Sequence, residues 1–136
     1  MEVLSLDHSG RPKFLEGEVE ITSVSGVNLK FPDGTLLSMI RLTNFRLLIQ
    51  ADHKNNKNII ANYAINCGSI KTVEAEKSGF FRRFTNVSIT VAAQSGEIKL
   101  HAEFGENDVR EQFREHFMLV MQKKAWVRLE LPLDFC

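Results

Sequence analysis

Seven consecutive residues, Lys77-Ser78-Gly79-Phe80-Phe81-Arg82-Arg83, hold the densest chemistry in this chain. Two guanidinium groups and one ammonium group stand beside two aromatic rings. Arginine grips phosphate with paired, charge-assisted hydrogen bonds. Phenylalanine at a loop tip can enter the interfacial layer of a bilayer. Together they would make a small clamp for a phosphorylated headgroup, with Arg82, Arg83 and Lys77 on the phosphates and Phe80 and Phe81 in contact with the membrane. The competing structural reading makes Phe80 and Phe81 core residues that open the next strand, with the arginines solvated beside them. Composition leaves these two readings level.

Other chemistry is sparse. The four histidines, His8, His53, His101 and His116, are dispersed. His101 lies within an alternating apolar run and reads as structural. The carboxylates are scattered, with no pair in an apolar setting that would raise a pKa. Cys67 and Cys136 have no CxxC neighbour and no histidine at metal-ligand spacing, so they read as reduced thiols of a cytoplasmic protein. As a nucleophile Cys67 would need a base that the sequence does not place. No P-loop, GxGxxG or GxSxG is present. The expectation is a non-enzymatic chain with no cofactor and no metal.

Bulk properties agree. The 136 residues fit one domain, and 43% hydrophobic with 25% charged residues is an ordinary globular balance. Formal net charge is zero, so no global basic field attracts nucleic acid, and any anion site must be local. No apolar run reaches the ~20 residues of a membrane-spanning helix, which makes any membrane contact peripheral.

The elements that must position the basic stretch follow from periodicity. Residues 1–13 are polar, with the breaker cluster Ser9-Gly10-Arg11-Pro12, and read as an extended N-terminal segment. Strand-like runs follow at 18–24, 27–31, 35–42, 45–51, 59–65, 70–75, 87–92 and 98–104. They are separated by turn signals such as Pro32-Asp33-Gly34, Asn66-Cys67-Gly68 and Gln94-Ser95-Gly96. Asn44-Phe45 is a poorer turn pair than Asn-Gly. Residues 76–85 read as a loop carrying the basic stretch. A second basic group, Lys54 and Lys57, reads as a solvated loop. Arg46 reads as a buried stem whose guanidinium bonds backbone carbonyls.

After Gly105 the period changes to helical. Val109, Phe113, Phe117, Val120 and Met121 make one apolar stripe, with Asn107 or Asp108 as N-cap and Lys123 and Lys124 in the last turn. Trp126 should anchor the helix end, and residues 127–136 read as an exit segment. One helix cannot cover both faces of a flat sheet. The economical solution is an α+β antiparallel seven-stranded barrel or sandwich, strongly bent and capped by the C-terminal helix, which is the pleckstrin-homology (PH) pattern.

Three stretches then resemble a known family. Ser9-Gly10-Arg11-Pro12 with Glu16-Gly17-Glu18, the run Ile40-Arg41-Leu42-Thr43-Asn44-Phe45-Arg46-Leu47-Leu48-Ile49, and Ser78-Gly79-Phe80-Phe81-Arg82-Arg83 are similar to motifs of the GLUE domain. That domain stands at the N-terminus of the vacuolar-protein-sorting subunit thirty-six of ESCRT-II. The helix ending Lys123-Lys124-Ala125-Trp126 is similar as well. The resemblance covers residues 9–126, and the strand-pair motif also fits GRAM domains of myotubularin-like proteins.

The resemblance implies a split-PH/GLUE domain over residues 14–126. It implies binding of phosphoinositide membranes, 3-phosphorylated headgroups in particular, and of ubiquitin in animal members. It further implies other ESCRT-II subunits as partners through a remainder of the chain, a place on the endosomal membrane, and sorting of ubiquitylated cargo to the multivesicular body. Family phosphate contacts carry over only to Arg82 and Arg83. A further basic residue of fungal members has no equivalent, since Ala102-Glu103-Phe104-Gly105-Glu106 is acidic. No ubiquitin residues map onto the sequence. The alternative is a PH-like protein-interaction module without lipid binding, or a GRAM domain.

Overall fold

The computed structural model describes residues 2–32, 34–51, 62–78, 83–94 and 96–126. Among these residues eight strands run in chain order: β1 (Glu2–Val3), β2 (Glu20–Phe31), β3 (Gly34–Thr43), β4 (Arg46–Ala51), β5 (Asn62–Asn66), β6 (Ile70–Ser78), β7 (Arg83–Ala93) and β8 (Gly96–Glu103). A single turn of 3-10 helix, Cys67–Ser69, joins β5 to β6, and α1 (Asn107–Lys123) follows β8. All strand pairs are antiparallel, in the order β1-β5-β4-β3-β2-β8-β7-β6.

The expected seven strands are β2 to β8. The two runs predicted at 18–24 and 27–31 form one strand, because the break at Gly26 is a bulge rather than a turn. The β2–β3 register shifts between Val24 and Val27, and Gly26 takes φ +68°, where a side chain would be strained. The bulge bends β2, so that it serves β3 along much of its length and β8 at Asn28, Leu29 and Lys30. Alternation then turns apolar residues of β3, β7 and β8 inward. Leu36, Ile40 and Leu42 of β3, Val87, Ile89 and Val91 of β7, and Leu100 and Ala102 of β8 share one core.

Helix α1 closes that core against β2, β6 and β7. Phe113, Phe117 and Val120 of the expected stripe are buried, Val109 and Met121 pack at its margin, and Trp126 is buried beyond the helix end. The N-cap is Glu106, one residue before the expected pair, and its side chain makes no capping bond. Asp108 in the first turn and Lys123 in the last still oppose the helix dipole. Among the described residues no helix is long and apolar enough to cross a membrane.

Residues 2–13 carry an additional strand that their polar composition conceals. Glu2 and Val3 pair with β5 as β1, and Leu4 joins Leu48 and Ala64 in a small second core on the outer sheet face, with Leu6 at its edge. This explains why both faces of β4 are buried. The breaker cluster is a tight turn. The Asp7 carboxylate accepts the N–H groups of Ser9 and Arg11 and the Ser9 hydroxyl, and Leu6 bridges Pro12 across it.

A buried ion pair staples this N-terminal segment to the sheet. Arg46 donates from Nε and Nη2 to the two carboxylate oxygens of Glu18, at 2.9 and 2.6 Å. Its Nη2 also donates to the Lys13 carbonyl, so the expected carbonyl bond is one of three. Thr43 Oγ1 donates to Glu18 at 2.6 Å and accepts the N–H groups of Phe45 and Arg46. That hydroxyl lets Asn44-Phe45 serve as the tight turn between β3 and β4. The Leu15 N–H completes the shell around Glu18.

Burial alone would raise the Glu18 pKa, but the bonds from Arg46, Thr43 and Leu15 outweigh it and hold the group below its ordinary value of 4.5. A depressed folded-state pKa contributes stability above the unfolded value and loses it as pH falls through the folded one. Unfolding free energy, followed by urea titration, is therefore expected to fall as pH drops below about 4.5. A Glu18→Leu/Arg46→Met chain should show a shallower decline over the same range.

Candidate functional site: the β6–β7 hairpin

The basic stretch sits at the tip of a long hairpin. After a register shift between Ile70 and Thr72, β6 and β7 pair continuously from Thr72↔Thr90 through Glu74↔Ser88 to Glu76↔Asn86, ending on Ser78↔Arg83. The expected loop at 76–85 is therefore shorter: β6 continues through Ser78 and β7 resumes at Arg83. The reason is antiparallel pairing, which carries polar residues such as Glu74 and Glu76 along with the inward Val73. Between Glu76↔Asn86 and Ser78↔Arg83 the register shifts, with the extra residue on β7. Such a bulge near a hairpin end adds twist and re-aims the tip.

Lys77 and Arg83 thus belong to the last turns of strand before residues 79–82, brought together by the register around them. Phe80, Phe81 and Arg82 lie outside the described residues, as do the side chains of Lys77 and Arg83. So do Lys54, Lys57, His53, Cys136 and the exit segment 127–136.

The sheet behind the tip is acidic. Glu76, Asn86, Glu103 and Asn28 form one row across β6, β7, β8 and β2. Glu76 is paired with His101 Nδ1 at 2.6 Å, a cross-strand contact that accounts for this histidine structurally. Glu106 and Asp108 follow at the start of α1. The charged members of this row are carboxylates, and the run 102–106 after His101 adds no second cation.

Concavities lie elsewhere among the described residues. A cleft of ≈ 240 Å³ beside the β2 bulge is lined by Ser25, Ser38, Met39, Arg41 and Gln50. Its one arginine is engaged: Arg41 Nη1 pairs with Glu20 at 2.9 Å and Nε bonds Gln50 Oε1 at 3.2 Å. A second groove, ≈ 300 Å³ and mostly apolar, runs between β2 and the end of α1, past Ile21, Asn44, His116, Leu119, Lys123 and Ala125.

Cys67 is a poor nucleophile in this setting. It is fully buried in the 3-10 turn, and burial, with a smaller contribution from the Glu18 charge, pushes its thiol up to about 12. Among the described residues no group of three or more His, Cys, Asp or Glu side chains could hold a metal ion.

Sequence reasoning missed Glu18 and Thr43 as partners of Arg46. The available signal was the need of a buried arginine for a carboxylate, but three segments far apart in sequence had to be brought together to name it.

No known family model matches the chain, and no curated protein is similar to it in sequence. Solved structures are similar in fold. The Vps36 N-terminal PH domain superposes with a TM-score of 0.64 at 18% identity, covering 90% of this chain and 92% of that one. The PH domain from TgAPH gives a TM-score of 0.54 at 13% identity, covering 72% of this chain and 81% of that one. At these identities the likeness is one of backbone architecture, and it agrees with the bent sheet, the bulged β2 and the single closing helix: this chain has a PH-like α+β fold, similar over nearly its whole length to the Vps36 N-terminal PH domain.

Proposed function

We propose that this chain is a non-enzymatic phosphoinositide-binding module of the GLUE type, acting as part of ESCRT-II on endosomal membranes in the sorting of ubiquitylated cargo. The observation that carries the reading is the β6–β7 register. Pairing through Ser78↔Arg83 makes residues 79–82 the connection at the tip of a long hairpin, with Lys77 and Arg83 at its base. Phosphate would be held by Arg82 and Arg83 with Lys77 beside them, and Phe80 and Phe81 would face the membrane. The bulge cleft is a poorer candidate, because its arginine is already neutralised by Glu20. The module spans residues 14–126, with other ESCRT-II subunits as partners beyond it.

Flotation with vesicles containing phosphatidylinositol 3-phosphate tests this reading. Arg82→Ala/Arg83→Ala is expected to weaken binding about tenfold to a hundredfold, as loss of one or two charge-assisted bonds implies. Wild-type binding should also weaken as salt rises. Equal binding by wild type and double variant would overturn the lipid reading.

A protein-interaction role without lipid binding is the second reading. It is favoured by the zero net charge and by Glu76 and Glu103 standing behind the hairpin. Ubiquitin is the partner the sequence resemblance implies, and an NMR titration to millimolar ubiquitin that moves no amide signal would remove it.

A further inference from the structure

Helix α1 carries apolar side chains outside its buried stripe. Met118 and Leu119 are 42% and 52% exposed, on a face where a surface helix ordinarily turns polar groups to water. Leu119 also lines the apolar groove against β2, and Ile21 on the opposite wall is 41% exposed. Exposed aliphatic groups gathered at an apolar groove mark a surface that another molecule covers.

Charge identifies that molecule. Glu115, Leu119 and Lys123 recur every four residues. They therefore lie along one side of the helix, each about 6 Å further on, with Leu119 in the middle. Arg110 and Arg114 pair with Glu111, whereas Glu115 and Lys123 stand exposed to either side of Leu119. Lys123 lines the same groove as Leu119. A stripe that reads acid, apolar, base is complementary to its own reverse. When a second α1 is laid antiparallel on the first, with the two-fold axis at Leu119, Leu119 meets Leu119. Glu115 of each copy then stands opposite Lys123 of the other, which is the self-complementarity a two-fold contact requires. A shallow crossing of about 20° keeps both ion pairs in register.

We infer that the chain associates with a second copy of itself through this face of α1. The two grooves face each other across the axis, so that Leu119 and Ile21 of both copies share one apolar interior, with the Glu115–Lys123 pairs at its rim. The patch is small and its charges are solvated, which sets a dissociation constant on the order of 100 μM. A micromolar solution of the chain is therefore monomeric. The inference stands on α1 and β2 alone and is independent of the lipid reading.

Analytical ultracentrifugation of the full chain, from about 10 μM to about 1 mM, tests it across the expected transition. The weight-average mass should climb from that of one chain toward that of two. Lys123→Glu and Glu115→Lys each turn both attractive pairs into repulsive ones, and each should weaken self-association about tenfold. Both positions are exposed, so the fold is retained. Mixed in equal amounts, the two variants restore both pairs with the charges exchanged, and the mixture should associate as tightly as the wild type. A wild-type chain that stays monomeric throughout overturns the inference. So does self-association that neither variant weakens, since the contact would then lie elsewhere. Weakening that mixing does not repair also overturns it, because the charges would not be meeting across the two-fold axis.

Discussion

Arg46→Ala is expected to destabilise the fold by about 3–5 kcal/mol, the cost of leaving a buried charge without its partner. The Glu18 side chain is fully inaccessible, and Arg46 supplies two of the four hydrogen bonds that hold it. Truncation leaves the carboxylate with Thr43 and the Leu15 N–H, and it releases the Lys13 carbonyl as well. Urea unfolding measures the loss. Glu18→Leu/Arg46→Met removes both charges and should recover most of the stability, because well-packed apolar groups replace buried ion pairs at little cost. A loss below about 1 kcal/mol for Arg46→Ala would mean that water reaches the pair and that it behaves as a surface contact. The N-terminal segment reports the same event locally: amides of residues 4–15 should lose protection in Arg46→Ala before those of β7.

This network explains what was readable in the sequence and what was not. Glu18, Thr43 and Arg46 fall within the stretches that carry the GLUE resemblance, as does the Ser9-Gly10-Arg11-Pro12 turn. Their roles in the structure are structural: a turn closed by Asp7, a hairpin completed by a threonine hydroxyl, and a buried ion pair. Those stretches therefore speak for the fold, and the similarity to the Vps36 domain is a similarity of fold. Strands and helix were legible because alternation and the 3.6-residue stripe are local. β1 was not, since Leu4 and Leu6 gain their partners Leu48 and Ala64 only when the sheet has formed. The bulge at Gly26 looked like a break because both begin with a residue that tolerates positive φ. The hairpin tip was legible in composition alone. Its extent was set by strand pairing, which polar residues such as Glu74, Glu76 and Asn86 do not announce.

Phe117→Ala is the second large effect, expected to cost about 3–5 kcal/mol. The ring is wholly buried and meets Phe113 edge-on, at a centroid distance of 5.6 Å and an interplanar angle of 71°. Phe113 in turn packs on Phe104 at 5.3 Å, so three rings tie α1 to the end of β8. Deleting the Phe117 ring opens a cavity between the helix and the sheet, and strand backbones tied by hydrogen bonds relax little into it. The exposed neighbour Met118 offers the control: Met118→Ala should change stability by less than about 0.5 kcal/mol. A Phe113/Phe117 double-mutant cycle should return a coupling of about 0.5–1.5 kcal/mol from the edge-on contact. Because α1 covers β2, β6 and β7 together, loosening it also frees the base of the β6–β7 hairpin. Vesicle binding by Phe117→Ala, measured where the chain is still folded, should fall less than by Arg82→Ala/Arg83→Ala. If the two losses were equal, the hairpin would be acting through the stability of the helix rather than through its own charges.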